Sequence, residues 1–193
     1  METMILDLRK DDEKMILDIS KADPSFNEAE CIMSWKQGRE NTSGHKLDLD
    51  IYAFMLNAQG KVDSVKKVVY HKNKVGLNES IILPEDSRDG ERDESLFITA
   101  NKLPSDVRAV AIYALLHNAA KYKHDFGMLS EATFSIKNRE TDFVVGKYRI
   151  SDYPNQFCLH IGNFVIAEDG GLSFIPVGVA GCFDGNDIFQ LYV

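Results

Sequence analysis

The sequence predicts an all-β protein, a two-sheet β-sandwich in a single domain with a few short helices, and three observations carry that expectation. Twelve short runs of β-type residues recur along the 193 residues, turn residues separate them, and helical periodicity is scarce. A chain of this length buries roughly 70% of its unfolded surface as one domain, enough for a core that needs no staple.

Taken in order, the runs begin with Met4 to Leu8 and Lys14 to Ile19, then Glu30 to Trp35 and Leu47 to Leu56, which read as two opening hairpin-like pairs. Asn57-Ala58-Gln59-Gly60 reads as a hairpin loop with its glycine where positive φ is needed. Val65 to Tyr70, Glu79 to Leu83, Ser95 to Thr99 and Val107 to His117 follow. The last four runs are Ala132 to Lys137, Phe143 to Ile150, Phe157 to Ala167 and Leu172 to Val177, the final pair joined by a second hairpin loop, Ala167 to Gly171. Helix is limited to a turn near Leu103-Pro104-Ser105-Asp106, a piece around Ala119 to His124 and a C-terminal stretch from Asn186 to Leu191. With no linker, low-complexity tract or repeat, residues 1–193 are expected to form one domain.

Trp35, Phe54, Phe97, Phe134, Phe143, Phe157, Phe164 and Phe174 are expected in the core. Cys31, Cys158 and Cys182 are odd in number, far apart and set in apolar runs, so they read as reduced core thiols and not as a disulfide framework or zinc site.

The formal charge of −8 and the scattered basic residues argue against nucleic-acid binding, which needs clustered Lys and Arg. No segment approaches the roughly 18 consecutive apolar residues of a membrane span. Met1 to Leu8 carries two acids, with no basic start and no small-residue cleavage site, so the chain is expected to be cytoplasmic.

The charge is concentrated in Glu85 to Glu94, where six carboxylates face only Arg88 and Arg92, a formal −4 in ten residues. Such crowding favours full solvation with local ion pairs or a hard cation. Asp86, Asp89, Asp93 and Glu94 are the candidate oxygen ligands here, with Gly90 allowing a tight turn. A strand through Asp48-Leu49-Asp50 sets both carboxylates on one face and Leu49 on the other, which adds Asp48 and Asp50 to the candidate metal set. The loop is no EF-hand: with Gly90 at position six, position twelve falls on Leu96. His117 ends an apolar run without a Cys or His at ligand spacing and reads as structural, while His124 lies in a polar stretch. No nucleophile elbow, phosphate loop or dinucleotide fingerprint is present, so no enzymatic activity is expected.

Segments distributed over nearly the whole chain resemble the TerD family of tellurium-resistance and stress-response proteins. They are Leu6-Asp7-Leu8-Arg9-Lys10, Ile16-Leu17-Asp18-Ile19, Cys31-Ile32-Met33-Ser34-Trp35, Leu47 to Leu56 with its following turn, Val68-Val69-Tyr70, Leu103 to Val107, Leu116-His117-Asn118-Ala119, Phe126-Gly127 and Val177 to Phe183. The resemblance implies a β-sandwich binding Ca2+ at one or two sites. Three departures imply weakened sites: Lys36 follows the tryptophan where the family has an acid, the acidic loop is shortened and carries arginines, and Asn118 follows the histidine.

The leading expectation is a calcium-binding stress-response module of TerD type, acting as a binding or scaffold protein, with other proteins of its operon as partners. The alternative is a metal-free protein–protein interaction domain with decayed ion sites. A metal-assisted hydrolase ranks third, because no general base is identified beside the carboxylates.

Overall fold

Alternation with a period of two builds the long strands. In β3 (Glu28–Gln37) Ala29, Cys31, Met33 and Trp35 are buried while their neighbours are not, and β9 (Leu129–Asn138) buries Ala132, Phe134 and Ile136 in the same way. The computed structural model describes residues 5–38, 41–84 and 93–193. Its other strands are β1 (Leu6–Asp7), β2 (Leu17–Asp18), β4 (Leu49–Asn57), β5 (Val68–Val69), β6 (Ile81–Ile82), β7 (Glu94–Thr99), β8 (Val107–Leu116), β10 (Val144–Arg149), β11 (Cys158–Ile166) and β12 (Leu172–Gly181). Each of the twelve runs expected from the sequence overlaps one of the twelve strands. The α-helices are α1 (Ile19–Ala22), α2 (Ala119–Tyr122) and α3 (Gly185–Tyr192).

Two six-stranded sheets result, one in the order β1-β10-β9-β3-β7-β6 and the other in the order β2-β12-β11-β8-β4-β5. We call them sheets A and B. Their facing sides enclose a core that includes Cys31, Met33, Trp35, Leu49, Ile51, Phe134, Phe164 and Phe174, with the Phe134 and Phe174 rings 6.1 Å apart.

Sheet B carries a second apolar layer on its outer side. There Tyr52, Phe54, Tyr113 and Leu115 lie under α3, which contributes Ile188, Phe189 and Tyr192. The helix starts at Asp184, whose side chain accepts from the Asn186 and Asp187 N–H groups while Asp187 accepts from the Asp184 N–H, a capping box that satisfies otherwise orphaned donors. The consequence for β4 is burial on both faces, with Leu49, Ile51, Ala53 and Met55 in the inter-sheet core and Tyr52 and Phe54 under α3.

Several expectations need correction. The opening runs form no hairpins: β1 pairs parallel with β10 and β2 antiparallel with β12, while β3 and β4 enter different sheets. Two-residue strands close too few hydrogen bonds to pair alone, so each docks on a longer strand already in place. The Asn57–Gly60 turn forms, but the chain then runs to α3, where Val62 N–H donates to Tyr192 O, before β5 returns to pair with β4. Ala167–Gly171 does join β11 to β12 directly. Phe143 is exposed, Phe97 is half-buried beneath the Arg139 guanidinium, and Cys182 is exposed, its Sγ donating to Asn155 O. Glu94 belongs to β7 and not to the acidic loop.

Gly178 lies where β12 carries an extra residue opposite β11, with φ of +68°. A Cβ there would drive into the Leu8 carbonyl, whereas at Gly170, with φ of +86°, it would meet open space. Gly170→Ala should therefore cost about 1 kcal/mol for the left-handed backbone alone, and Gly178→Ala distinctly more. Equal costs in urea denaturation would refute the clash.

Candidate functional site

Asp50 is an even-numbered residue of β4, so its side chain leaves sheet B on the α3 side, as those of Tyr52 and Phe54 do. It is 3% exposed. The strands flanking β4 each bring one histidine to it.

On one flank, β8 pairs with β4 in a register that sets Leu115 opposite Asp50. Two residues further on, His117 donates its N–H to Asp48 O at 2.8 Å, which carries the ladder past the strand end and presents the imidazole on the same face. Asn118 then turns the chain into α2 with φ of 51°. On the other flank, β5 leads into a two-residue turn closed by Tyr70 N–H to Asn73 O and Asn73 N–H to Tyr70 O, at 3.0 and 2.9 Å. His71 and Lys72 form its tip. The Asn73 amide pins the turn to Val68 O at 2.6 Å.

The three side chains converge. His117 Nδ1 is 3.1 Å and His71 Nδ1 3.4 Å from Asp50 Oδ2, and the two imidazole rings meet edge to face at 5.6 Å. Tyr52 and Tyr70 pack edgewise on His71 at 6.0 and 5.2 Å. Side-chain exposure rises from 4% at Asp50 through 21% at His71 to 42% at His117, so the cluster is closed on its β4 side and open on the other. The opening is a cleft of about 500 Å³ that also meets Phe183 and Asp184. A groove of about 640 Å³ adjoins it, lined by Tyr52, Tyr70, His71 and Phe189.

Among the described residues, the carboxylates expected to bind metal do not gather as a group of three. Asp48 is half-buried beside Asp50 at the start of β4, and its Oδ1 is shielded from solvent. Glu94, 2% exposed, accepts the Ile51 N–H on Oε2 at 3.0 Å. That bond has a structural cause: β5 pairs only with Ala53 and Phe54, which leaves the edge N–H of Ile51 without a strand partner. Asp93, the next residue back, is exposed and faces a recess on sheet A with Trp35, Lys36 and Glu131. Lys36 is ion-paired there with Glu131. Asp86 and Asp89 lie outside the described residues.

Calcium sits 2.3 to 2.6 Å from each of six to eight oxygens, so ligands on opposite sides of it are about 5 Å apart at most. Among the described residues, one group of three His, Cys, Asp or Glu side chains brings donor atoms within 4.8 Å of one another, and it is Asp50, His71 and His117. Asp48, Asp50 and Glu94 supply calcium's donor type without converging as a shell of their own.

Sequence reasoning reached Asp50, read His117 as structural and did not single out His71. His117 has no partner nearby in sequence, and the Tyr70-His71-Lys72-Asn73 turn lacks the glycine that marks most tight turns. Only the pairing of β5 and β8 with β4 brings them together.

The TerD domain family model matches residues 4–181. The chain is 29% identical over 163 residues to the tellurium resistance protein TerD of Serratia marcescens, covering 83% of this chain and 84% of that one. It is 24% identical over 165 residues to general stress protein 16U of Bacillus subtilis (strain 168), covering 84% and 85%. Among solved structures it is similar to a homologue of telluride resistance protein (TerD) from Streptomyces coelicolor A3(2), with a TM-score of 0.68, 15% identity, and coverage of 84% of this chain and 94% of that one.

The Glu94 bond to the edge of β4 is testable. Glu94→Ala strands the Ile51 N–H and should lower stability by about 1–3 kcal/mol, while Glu94→Gln keeps an acceptor and should recover most of that loss. Identical urea midpoints for the two variants would contradict the role.

Proposed function

This chain belongs to the TerD family, and on that premise we propose that it serves in a stress response as a cytoplasmic, non-enzymatic binding module whose working surface is the outer face of sheet B around Asp50. The observation that carries the proposal is a buried carboxylate held at the floor of an open cleft that continues into an aromatic-lined groove. Such a surface recruits cations and partners without needing a nucleophile. The relatives' names, tellurium resistance protein and general stress protein, supply the physiological context. No helix among the described residues is long and apolar enough to cross a membrane.

Calcium is the ion that family resemblance brings to this surface, and Asp48, Asp50 and Glu94 are its candidate anchors. Two carboxylates buried near successive residues of one strand favour a counter-charge beside them. The second reading, a metal-free interaction domain acting on proteins of the same operon, draws on sheet A, where Asp93 shares its recess with the Lys36–Glu131 ion pair.

A thermal melt separates the two. If calcium binds, it stabilises the fold by RT ln(1 + [Ca]/Kd), about 2.7 kcal/mol at a hundredfold excess over Kd, and Asp50→Ala abolishes the gain. No change in Tm between millimolar calcium and EGTA would reject the calcium reading and leave the metal-free module, for which native mass spectrometry should show an ion-free chain in complex with an operon neighbour.

A further inference from the structure

We propose that Asp50, His71 and His117 form a three-ligand site for a borderline divalent transition metal, zinc in the first instance, with a fourth coordination position open to solvent. The inference rests on the chain's own donor set: it shares Asp50 with the calcium reading and takes its other two ligands from histidines which that reading does not use. Two imidazole nitrogens and one carboxylate oxygen suit zinc, whereas calcium takes oxygen donors throughout.

The spacing agrees with that donor set. Zinc binds imidazole nitrogen at 2.0–2.1 Å and carboxylate oxygen at 2.0–2.2 Å in a tetrahedron, which puts neighbouring donor atoms about 3.3 Å apart. Asp50 Oδ2 lies 3.1 Å from His117 Nδ1 and 3.4 Å from His71 Nδ1, and all three donor atoms fall within 4.8 Å. A metal could therefore enter with little movement of the ligands.

The cluster is also held in place before any metal arrives. Asp50 comes from a strand buried on both faces, His117 is tied to Asp48 by its backbone, and His71 rides on a turn closed by two backbone hydrogen bonds and boxed by Tyr52 and Tyr70. His71 Nδ1 is shielded from solvent yet finds no hydrogen bond of acceptable geometry. Coordination would satisfy it. The Nε2 atoms stay available for outer contacts, and the exposed side of His117 leaves room for a water as the fourth ligand.

Zinc takes each imidazole through an unprotonated ring nitrogen and Asp50 as the carboxylate, any proton on a ligating atom passing to solvent on binding, so no oxidant or reductant is involved. A purely structural His–Asp–His cluster predicts the opposite in solution: no metal stoichiometry and no ligand-field spectrum.

The test uses the full chain stripped with a chelator. Zinc titrated calorimetrically should bind one equivalent, and Co2+ in its place should give the intense visible absorption of a tetrahedral site. His71→Asn, in a half-buried turn outside the core, should weaken zinc by at least tenfold and abolish the tetrahedral Co2+ spectrum, with circular dichroism reporting the intact fold. His117→Asn should do the same. The calcium-dependent shift in Tm should survive His71→Asn, so loss of zinc and loss of calcium are read separately. Absence of zinc binding at micromolar concentration, or binding and Co2+ spectra unaltered by both histidine variants, would overturn the site.

Discussion

Strand β4 is buried on both faces, and the rest of the molecule is arranged around that constraint. Its odd residues fill the space between the sheets and its even residues fill the space beneath α3. A slip of one residue would exchange the two sets, placing Tyr52 and Phe54 between the sheets and Ile51 and Ala53 under the helix. Because the two compartments differ in shape, the register of β4 is fixed from both sides. The position of Asp50 at the edge of the outer layer, where the α3 cover begins at Asp184, is fixed with it.

A carboxylate in that place needs polar company, and the two flanking chains provide it. Neighbouring strands in a sheet lie about 4.8 Å apart, so the side chains projecting from three adjacent chains on one face naturally reach a common point. Asp50 occupies the middle chain, and the histidines come from its neighbours, one just past the end of β8 and one in the turn after β5. Sheet geometry does most of the work of bringing the donors together. The turn residues contribute the aim.

The strand plan was legible because period-two burial is written locally, as in Ala29-x-Cys31-x-Met33-x-Trp35, and because β-type runs are bounded by turn residues. The pairing was not: Leu6-Asp7 and Leu17-Asp18 carry no local mark of their partners in β10 and β12, more than a hundred residues on. Asp48 and Asp50 were readable as a one-faced pair for the same period-two reason. The convergence of the histidines was not legible, with His117 reading as structural and His71 not singled out, since the turn that presents His71 and the ladder that presents His117 acquire meaning only when both lie against β4. Phe143 and Cys182 show the converse limit, where apolar character in sequence does not guarantee a place inside.

The Glu94 carboxylate on the Ile51 N–H joins a strand of sheet A to the edge of sheet B. Apolar faces in contact resist separation but offer little directional resistance to sliding. Polar bonds between the layers, this one among them, supply that direction, because relative translation of the sheets would pull the buried anion off its donor with no water to replace it. The sandwich is thereby locked in shear at one end, beside Asp50, and any charge bound there bears on the same junction that keeps the two layers aligned.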